Sequence, residues 1–156
     1  MKRIEPGLGK TGAGFTTDCV KCMGCVVACS FWREGKVNPK LSRIRIKSHE
    51  LDWVKGKSDK IVERIVCKQC PGISPCMLAC AVEAMTRDEN TGAVVIDDKK
   101  CTRCKKCIEA CPFDAIWYNE EVDKILKCDL CGGVPKCVRW CPIGCLKIVK
   151  LKGAVK

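Results

Sequence analysis

A chain of 156 residues is ordinarily one domain, but only 5% of this one is aromatic and 13 residues are glycine, so a conventional core would be thin. The formal charge of +11 suggests nucleic acid or an acidic membrane as a partner, yet 17 cysteines make metal-bound thiolate a second large source of charge. A single histidine, His49, excludes metal sites with paired histidines, and no apolar run approaches the ~20 residues that span a bilayer.

Residues 1–17 are basic and lack both an apolar h-region and a small-residue cleavage site, so they read as a flexible N-terminal segment and not as a signal peptide. Cytoplasm is then the default location. The GLGKT stretch fails as a phosphate loop because Ile4 stands where the first glycine is needed and no strand signal precedes it. Cys19, Cys22, Cys25 and Cys29 follow at C-x2-C-x2-C-x3-C spacing, with a short helix expected over 24–31. Leu41, Ile44 and Ile46 alternate with basic residues as in a strand, and 61–66 suggests another. Between them lies a polar stretch with His49 and Trp53. The 38–66 region is therefore expected as a surface hairpin or a docking element for a partner subunit.

Cys67, Cys70, Cys76 and Cys80 form a second quartet, C-x2-C-x5-C-x3-C, with a helix expected over 75–81. A hairpin signal follows, with strands over 84–87 and 93–97 about the turn residues 88–92. Cys101, Cys104, Cys107 and Cys111 return to the compact spacing, with a helix over 106–111 and strands over 115–118 and 124–127. Cys128, Cys131, Cys137 and Cys141 repeat the longer spacing, with a helix over 135–140 and a last strand over 146–151. Each half is one compact and one spaced quartet, so the chain reads as an internal duplication of about 18–97 and 98–150. The expected fold class is α+β: tandem ferredoxin-like βαβ modules in one compact unit, 18–156.

The compact run is the ligand spacing of bacterial ferredoxins, in which three cysteines wrap one 4Fe–4S cube and the fourth ligates its neighbour. Sixteen of the 17 cysteines are thus expected to hold four 4Fe–4S clusters. Each cube with four thiolates carries about −2, so four reduce the charge from +11 to roughly +3. Lys21, Lys68, Arg103, Lys105, Lys106, Lys127, Lys136 and Arg139 lie in or beside the loops as counter-charge or as solvated loop residues. An odd cysteine count and repeated x2 spacing oppose a disulfide scaffold. Zinc could suit the spaced quartets, but one repeat pattern runs through all four and the compact run suits a single zinc poorly. No C-x3-C-x2-C run is present, which removes radical S-adenosylmethionine chemistry. Cys145 aligns with Ala84 and Ala115 and reads as a small buried non-ligand. Trp32 and Trp140, close to Cys29 and Cys141, read as a shield over outer clusters or as ordinary core.

CTRCKKCIEACPFDAI and CDLCGGVPKCVRWCP resemble the third and fourth motifs of the four-cluster iron–sulfur subunits of anaerobic oxidoreductases. These accompany molybdopterin enzymes of the dimethyl-sulfoxide-reductase type; small versions partner tungstopterin aldehyde oxidoreductases and benzoyl-CoA reductases. The resemblance spans about residues 18–150 and departs from the pattern at Ala81, where proline is usual. Spacing alone leaves sequential and nested ligand pairings open. The resemblance implies the nested one: Cys19, Cys22, Cys25 with Cys141; Cys67, Cys70, Cys76 with Cys111; Cys101, Cys104, Cys107 with Cys80; and Cys128, Cys131, Cys137 with Cys29.

It also implies a non-catalytic electron-transfer subunit that wires a tungsto- or molybdopterin catalytic subunit to another redox partner. A free polyferredoxin carrier and a zinc-stabilised nucleic-acid binder are the alternatives. Without large insertions or a C-terminal membrane helix, the expected setting is a small soluble complex, with higher-order assembly through that complex. No nucleic-acid partner and no membrane span are expected.

Anaerobically purified protein is therefore expected to contain about sixteen iron and sixteen sulfide per chain. Chemical analysis returning about eight of each, or zinc in place of iron, would contradict the quartet count.

Overall fold

Every strand pairing in the computed structural model, which describes residues 2–7, 9–10, 16–17, 19–48 and 62–150, is antiparallel and two-stranded. Strand β1 (Lys2–Pro6) pairs with β10 (Leu146–Lys150), and β2 (Gly9–Lys10) with β3 (Thr16–Thr17). Strands β4 (Ile44–Ser48) and β5 (Val62–Val66) form the third pair. The fourth is β6 (Met85–Arg87) with β7 (Val94–Ile96), and the fifth β8 (Ile116–Asn119) with β9 (Lys124–Lys127). The βαβ description thus holds for element order but not for pairing. The turns between β6 and β7 and between β8 and β9 suit hairpins, whereas parallel neighbours need a crossover of a dozen residues or more.

The N-terminus departs most from expectation. Lys2–Pro6 was read as flexible, yet it is a strand whose Ile4 is fully buried. One apolar residue among polar ones gives no strand signal, and its partner lies at the far end of the described chain. Residues 11–15 and 49–61, with His49 and Trp53, lie outside the described residues.

Helix α1 (Gly24–Glu34) runs three residues beyond the expected end and buries Cys25, Val26, Ala28 and Cys29 on one face. It stops at Gly35, whose φ of 66° lets its N–H reach the Phe31 carbonyl at 2.8 Å. Gly24 has a packing reason, since a Cβ there would sit 3.3 Å from the Trp140 carbonyl oxygen. Helices α2 (Pro75–Leu78), α3 (Lys106–Glu109) and α4 (Lys136–Arg139) are single turns, shorter than expected. They end early because the chain reverses directly after the last cysteine of each quartet.

Cysteines belong to both apolar clusters of the interior. One joins Ile4, Val26, Ile44, Ile65 and Leu146 to Cys25, Cys29, Cys67, Cys128 and Cys137. The other joins Met85, Val94, Ile116 and Ile125 to Cys76 and Cys107. Ten non-glycine residues among those described hold positive φ, most of them in or beside the cysteine loops. At about 1–2 kcal/mol each, that strain is on the order of 10 kcal/mol, comparable with the whole stability of a small domain. A bound group must offset it.

Metal removal is therefore expected to unfold the chain. Chelation under reducing, anaerobic conditions should abolish the tertiary near-ultraviolet circular dichroism, and iron with sulfide should restore it. Retention of cooperative thermal unfolding after iron loss would refute this.

Candidate metal centres

The residue before the second cysteine is left-handed in all four quartets: Lys21, Gln69, Arg103 and Leu130, with φ of 56°, 49°, 57° and 59°. In the compact quartets the residue after that cysteine is left-handed too, Met23 at 58° and Lys105 at 63°. Such alternation turns successive backbone N–H groups towards one side of the loop, which makes a concavity suited to an anion. The Gln69 N–H, for example, donates to Cys67 Sγ at 3.4 Å. A cube with four thiolates is an anion of about −2, so the backbone fits the group that the donor set implies.

A second turn recurs at the last cysteine of quartets two to four. Glu83, Asp114 and Gly144 are left-handed, and their N–H groups return to the carbonyls of Cys80, Cys111 and Cys141 at 3.1, 3.3 and 3.1 Å. The next residue's N–H then reaches the sulfur: Ala84 to Cys80 Sγ and Cys145 to Cys141 Sγ, both at 3.2 Å. Ala84, Ala115 and Cys145 are all buried, at 1%, 0% and 3% exposure, so Cys145 occupies the alanine register. Cys29 differs, because α1 continues past it. Its sulfur accepts instead from the Arg43 N–H at 3.2 Å, and the Arg43 guanidinium is pinned by Glu34 and the Leu41 carbonyl.

These turns lead the chain away from the loops of Cys80, Cys111 and Cys141, and each last cysteine, Cys29 in α1 included, lies beside thiols of another quartet. Burial first, then the charges of Cys19, Cys141 and Cys22, pushes the Cys25 thiol up to about 12. The Cys76 thiol is raised by burial, with Lys127, Cys67, Cys111 and Cys70 acting on it, and Cys67, Cys70, Cys76 and Cys111 line one cavity. Burial, then Cys128, Cys29 and Cys131, raises Cys137 far above the ordinary thiol range. Cys80, Cys101, Cys104 and Cys107 line a further cavity, and burial followed by Cys101 and Cys104 pushes Cys107 up to about 11. Thiols so placed repel one another once ionised, and only a cationic centre makes their joint ionisation favourable. Among the described residues no three of His, Cys, Asp and Glu close on one point, as a mononuclear zinc site requires.

Cys141 and Cys145 form a special pair, with sulfurs 3.4 Å apart. Burial opposes ionisation of Cys141, but hydrogen bonds from the Cys145 thiol and from the N–H groups of Cys145, Leu146 and Ile143 outweigh it and lower its pKa. Burial, then the hydrogen bond and charge of Cys141, pushes Cys145 up to about 12. Cys141 is thus the more acidic thiol of the pair.

Sequence reasoning missed the depth of Gln69, which is fully buried and bridges the Cys128 carbonyl and the Val94 N–H at 2.8 and 3.0 Å. No spacing marks it. Of the two readings of the tryptophans, ordinary core fails: Trp32 and Trp140 are 56% and 61% exposed, with the Lys136 ammonium 3.6 Å over the Trp32 ring. Of the loop cations, Lys21, Lys105, Lys106 and Arg139 are exposed, Lys68, Arg103 and Lys136 half-buried, and Lys127 buried.

Residues 60–151, more than half of the chain, match the 4Fe-4S dicluster domain, and the chain belongs to that family of iron–sulfur proteins. It is 40% identical over 123 residues to the aliphatic sulfonate oxidoreductase, polyferredoxin-like subunit, of Pyrococcus furiosus, covering 79% of this chain and 66% of that one. Against the NADH-dependent phenylglyoxylate dehydrogenase subunit beta of Aromatoleum evansii the identity is 33%, over 90% of this chain and 31% of the relative. Against the thiosulfate reductase electron transfer subunit of Salmonella typhi it is 30%, over 85% and 71%. The chain thus spans between 31% and 71% of the length of these relatives. No helix among the described residues is long and apolar enough to cross a membrane.

Cys145→Ala is expected to retain full iron at a stability cost of about 1 kcal/mol, since alanine already fills the equivalent positions. Cys141→Ala should lose or convert one cluster. Iron analysis and low-temperature electron paramagnetic resonance distinguish them; equal iron loss in both would make Cys145 a ligand.

Proposed function

We propose that this chain is an electron-transfer subunit carrying four 4Fe–4S clusters. Site 1 is Cys19, Cys22, Cys25 and Cys141; site 2 is Cys67, Cys70, Cys76 and Cys111. Site 3 is Cys101, Cys104, Cys107 and Cys80; site 4 is Cys128, Cys131, Cys137 and Cys29. The observation that carries this reading is the gathering of each last cysteine with three thiols of another quartet. Each cluster, when bound, accepts and returns one electron at a time. The left-handed Met23 and Lys105 shared by the compact quartets, and the turns at Glu83 and Gly144 shared by the spaced ones, support reading the chain as two pseudo-repeats, 18–97 and 98–150.

Three neighbour relations support a linear order of sites 1, 4, 2 and 3. Cys137 feels Cys25, Cys128 feels Cys67, and Cys107 feels Cys76. Cys22 and Cys104 are the exposed cysteines, and they belong to the two ends of that order. Electrons enter or leave at sites 1 and 3, while the cysteines of the inner sites are buried or half-buried.

Where the chain next to Cys29 and Cys137 of site 4 meets that next to Cys141 of site 1, Phe31, Trp32 and Trp140 surround a groove of about 400 Å³ together with Lys136 and Arg139. Exposed aromatics with arginine are the composition of an interface centre. This face is read as the docking surface for a catalytic redox subunit, with a second redox partner at the site 3 end. The family resemblance supports a tungsten- or molybdenum-pterin enzyme as that subunit, and the cytoplasm is the expected setting. The chain itself turns over no substrate.

Anaerobic pull-down should recover a metal-containing catalytic subunit, and the partner's substrate should bleach the visible absorption only when both proteins are present. Trp140→Ala, fully loaded with iron, is expected to slow that bleaching at least about tenfold, as loss of a buried aromatic anchor does. Steeply salt-dependent DNA or RNA binding, or turnover by the isolated chain, would overturn the assignment.

A further inference from the structure

Lys127 is the buried lysine among the described residues, 7% exposed at the end of β9. Its ammonium donates to the Val94 carbonyl at 2.7 Å and to the Cys128 carbonyl at 3.2 Å. The ion pairs among the described residues engage other cations: Arg3, Arg33, Lys40, Arg43, Lys47, Arg103 and Lys124. Two carbonyls do not neutralise an ammonium, and a buried charge without a counter-charge is strongly unfavourable.

The counter-charge lies across the cavity that Lys127 lines with Cys67, Cys70, Cys76 and Cys111. The fully buried Gln69 holds the same two peptides, taking the Val94 N–H and donating to the Cys128 carbonyl, so the ammonium has a fixed seat. Lys68 lines the same cavity but is half-exposed, and the cations beside the end sites, Lys21, Lys105 and Lys106, stand in water. Water screens those charges; it does not screen Lys127.

We propose that Lys127 is the internal counter-charge of site 2 and raises that site's reduction potential. The inference rests on the reading that Cys67, Cys70, Cys76 and Cys111 hold a 4Fe–4S cluster. Taking up one electron makes the site more negative by one unit, and a fixed cation in a low-dielectric interior stabilises that form more than the oxidised one. An inner site raised in this way is where an electron rests, away from the exposed ends.

The test is a redox titration of the intact chain followed by electron paramagnetic resonance, comparing wild type with Lys127→Met, Lys127→Gln, Lys127→Arg and Lys68→Met. Each protein is first analysed for iron and sulfide. Lys127→Met is expected to keep its iron and to lower one midpoint of four. At a fixed potential the reduced-to-oxidised ratio of that site should fall at least tenfold, which is 59 mV for one electron. Lys127→Arg should stay near wild type, and Lys68→Met should shift less. Four unchanged midpoints in fully loaded Lys127→Met would overturn the proposal, as would an equal shift in Lys68→Met. Should Lys127→Met and Lys127→Gln both lose iron while Lys127→Arg keeps it, Lys127 serves cluster loading and the potential-setting role is refuted. Wild-type protein far short of about sixteen iron is a separate failure, that of the four-cluster reading itself.

Discussion

Bringing thiolates together out of water is the constraint on which this structure depends. Burial opposes their ionisation and each resists the charge of the next, as at Cys25, Cys107 and Cys137. A cationic iron core removes both penalties at once, so cluster assembly and folding are one event. The thin conventional core follows, because cysteines occupy positions that leucine or phenylalanine fill elsewhere.

The backbone is arranged around the same constraint. Left-handed residues recur at fixed places in every quartet, and most of them are not glycine. Their strain is tolerable only where inward N–H groups find an anion, which ties an otherwise unfavourable conformation to the bound group. The two-stranded hairpins then act as struts. Arg87 shows how: its guanidinium binds the Gly92 carbonyl of its own hairpin turn and the carbonyls of Cys70 and Gly72 in the neighbouring cysteine loop.

Charge is distributed unevenly along the proposed array, and the unevenness suits a wire. The ends are wet, with Cys22 and Cys104 open and cations nearby in solvent. The inner sites have no exposed cysteine, and one buried ammonium is seated there on backbone carbonyls. Solvent access and fixed charge are two of the levers by which a protein sets cluster potentials, and this chain applies them at different sites. The net charge of the sequence suggests a polyanion binder only while the clusters are left out of the count.

The sequence by itself determined the cofactor class, the order of the main helices and strands from Gly24 onward, and the register of Cys145. These depend on spacing over a few residues, and short loops close in few ways. Tertiary structure decided which thiols lie near each last cysteine, since that depends on how one loop packs against another far along the chain. It decided that Lys2–Pro6 is a strand, through a partner at the opposite end that no local pattern announces. It decided too that Lys127 and Gln69 are buried while Trp32 and Trp140 are exposed, reversing what residue type suggests. Hydrophobicity predicts average burial, but an ammonium beside a cysteine-lined cavity is held by charge, and an aromatic pair between two helices can stay in solvent with a lysine over one ring.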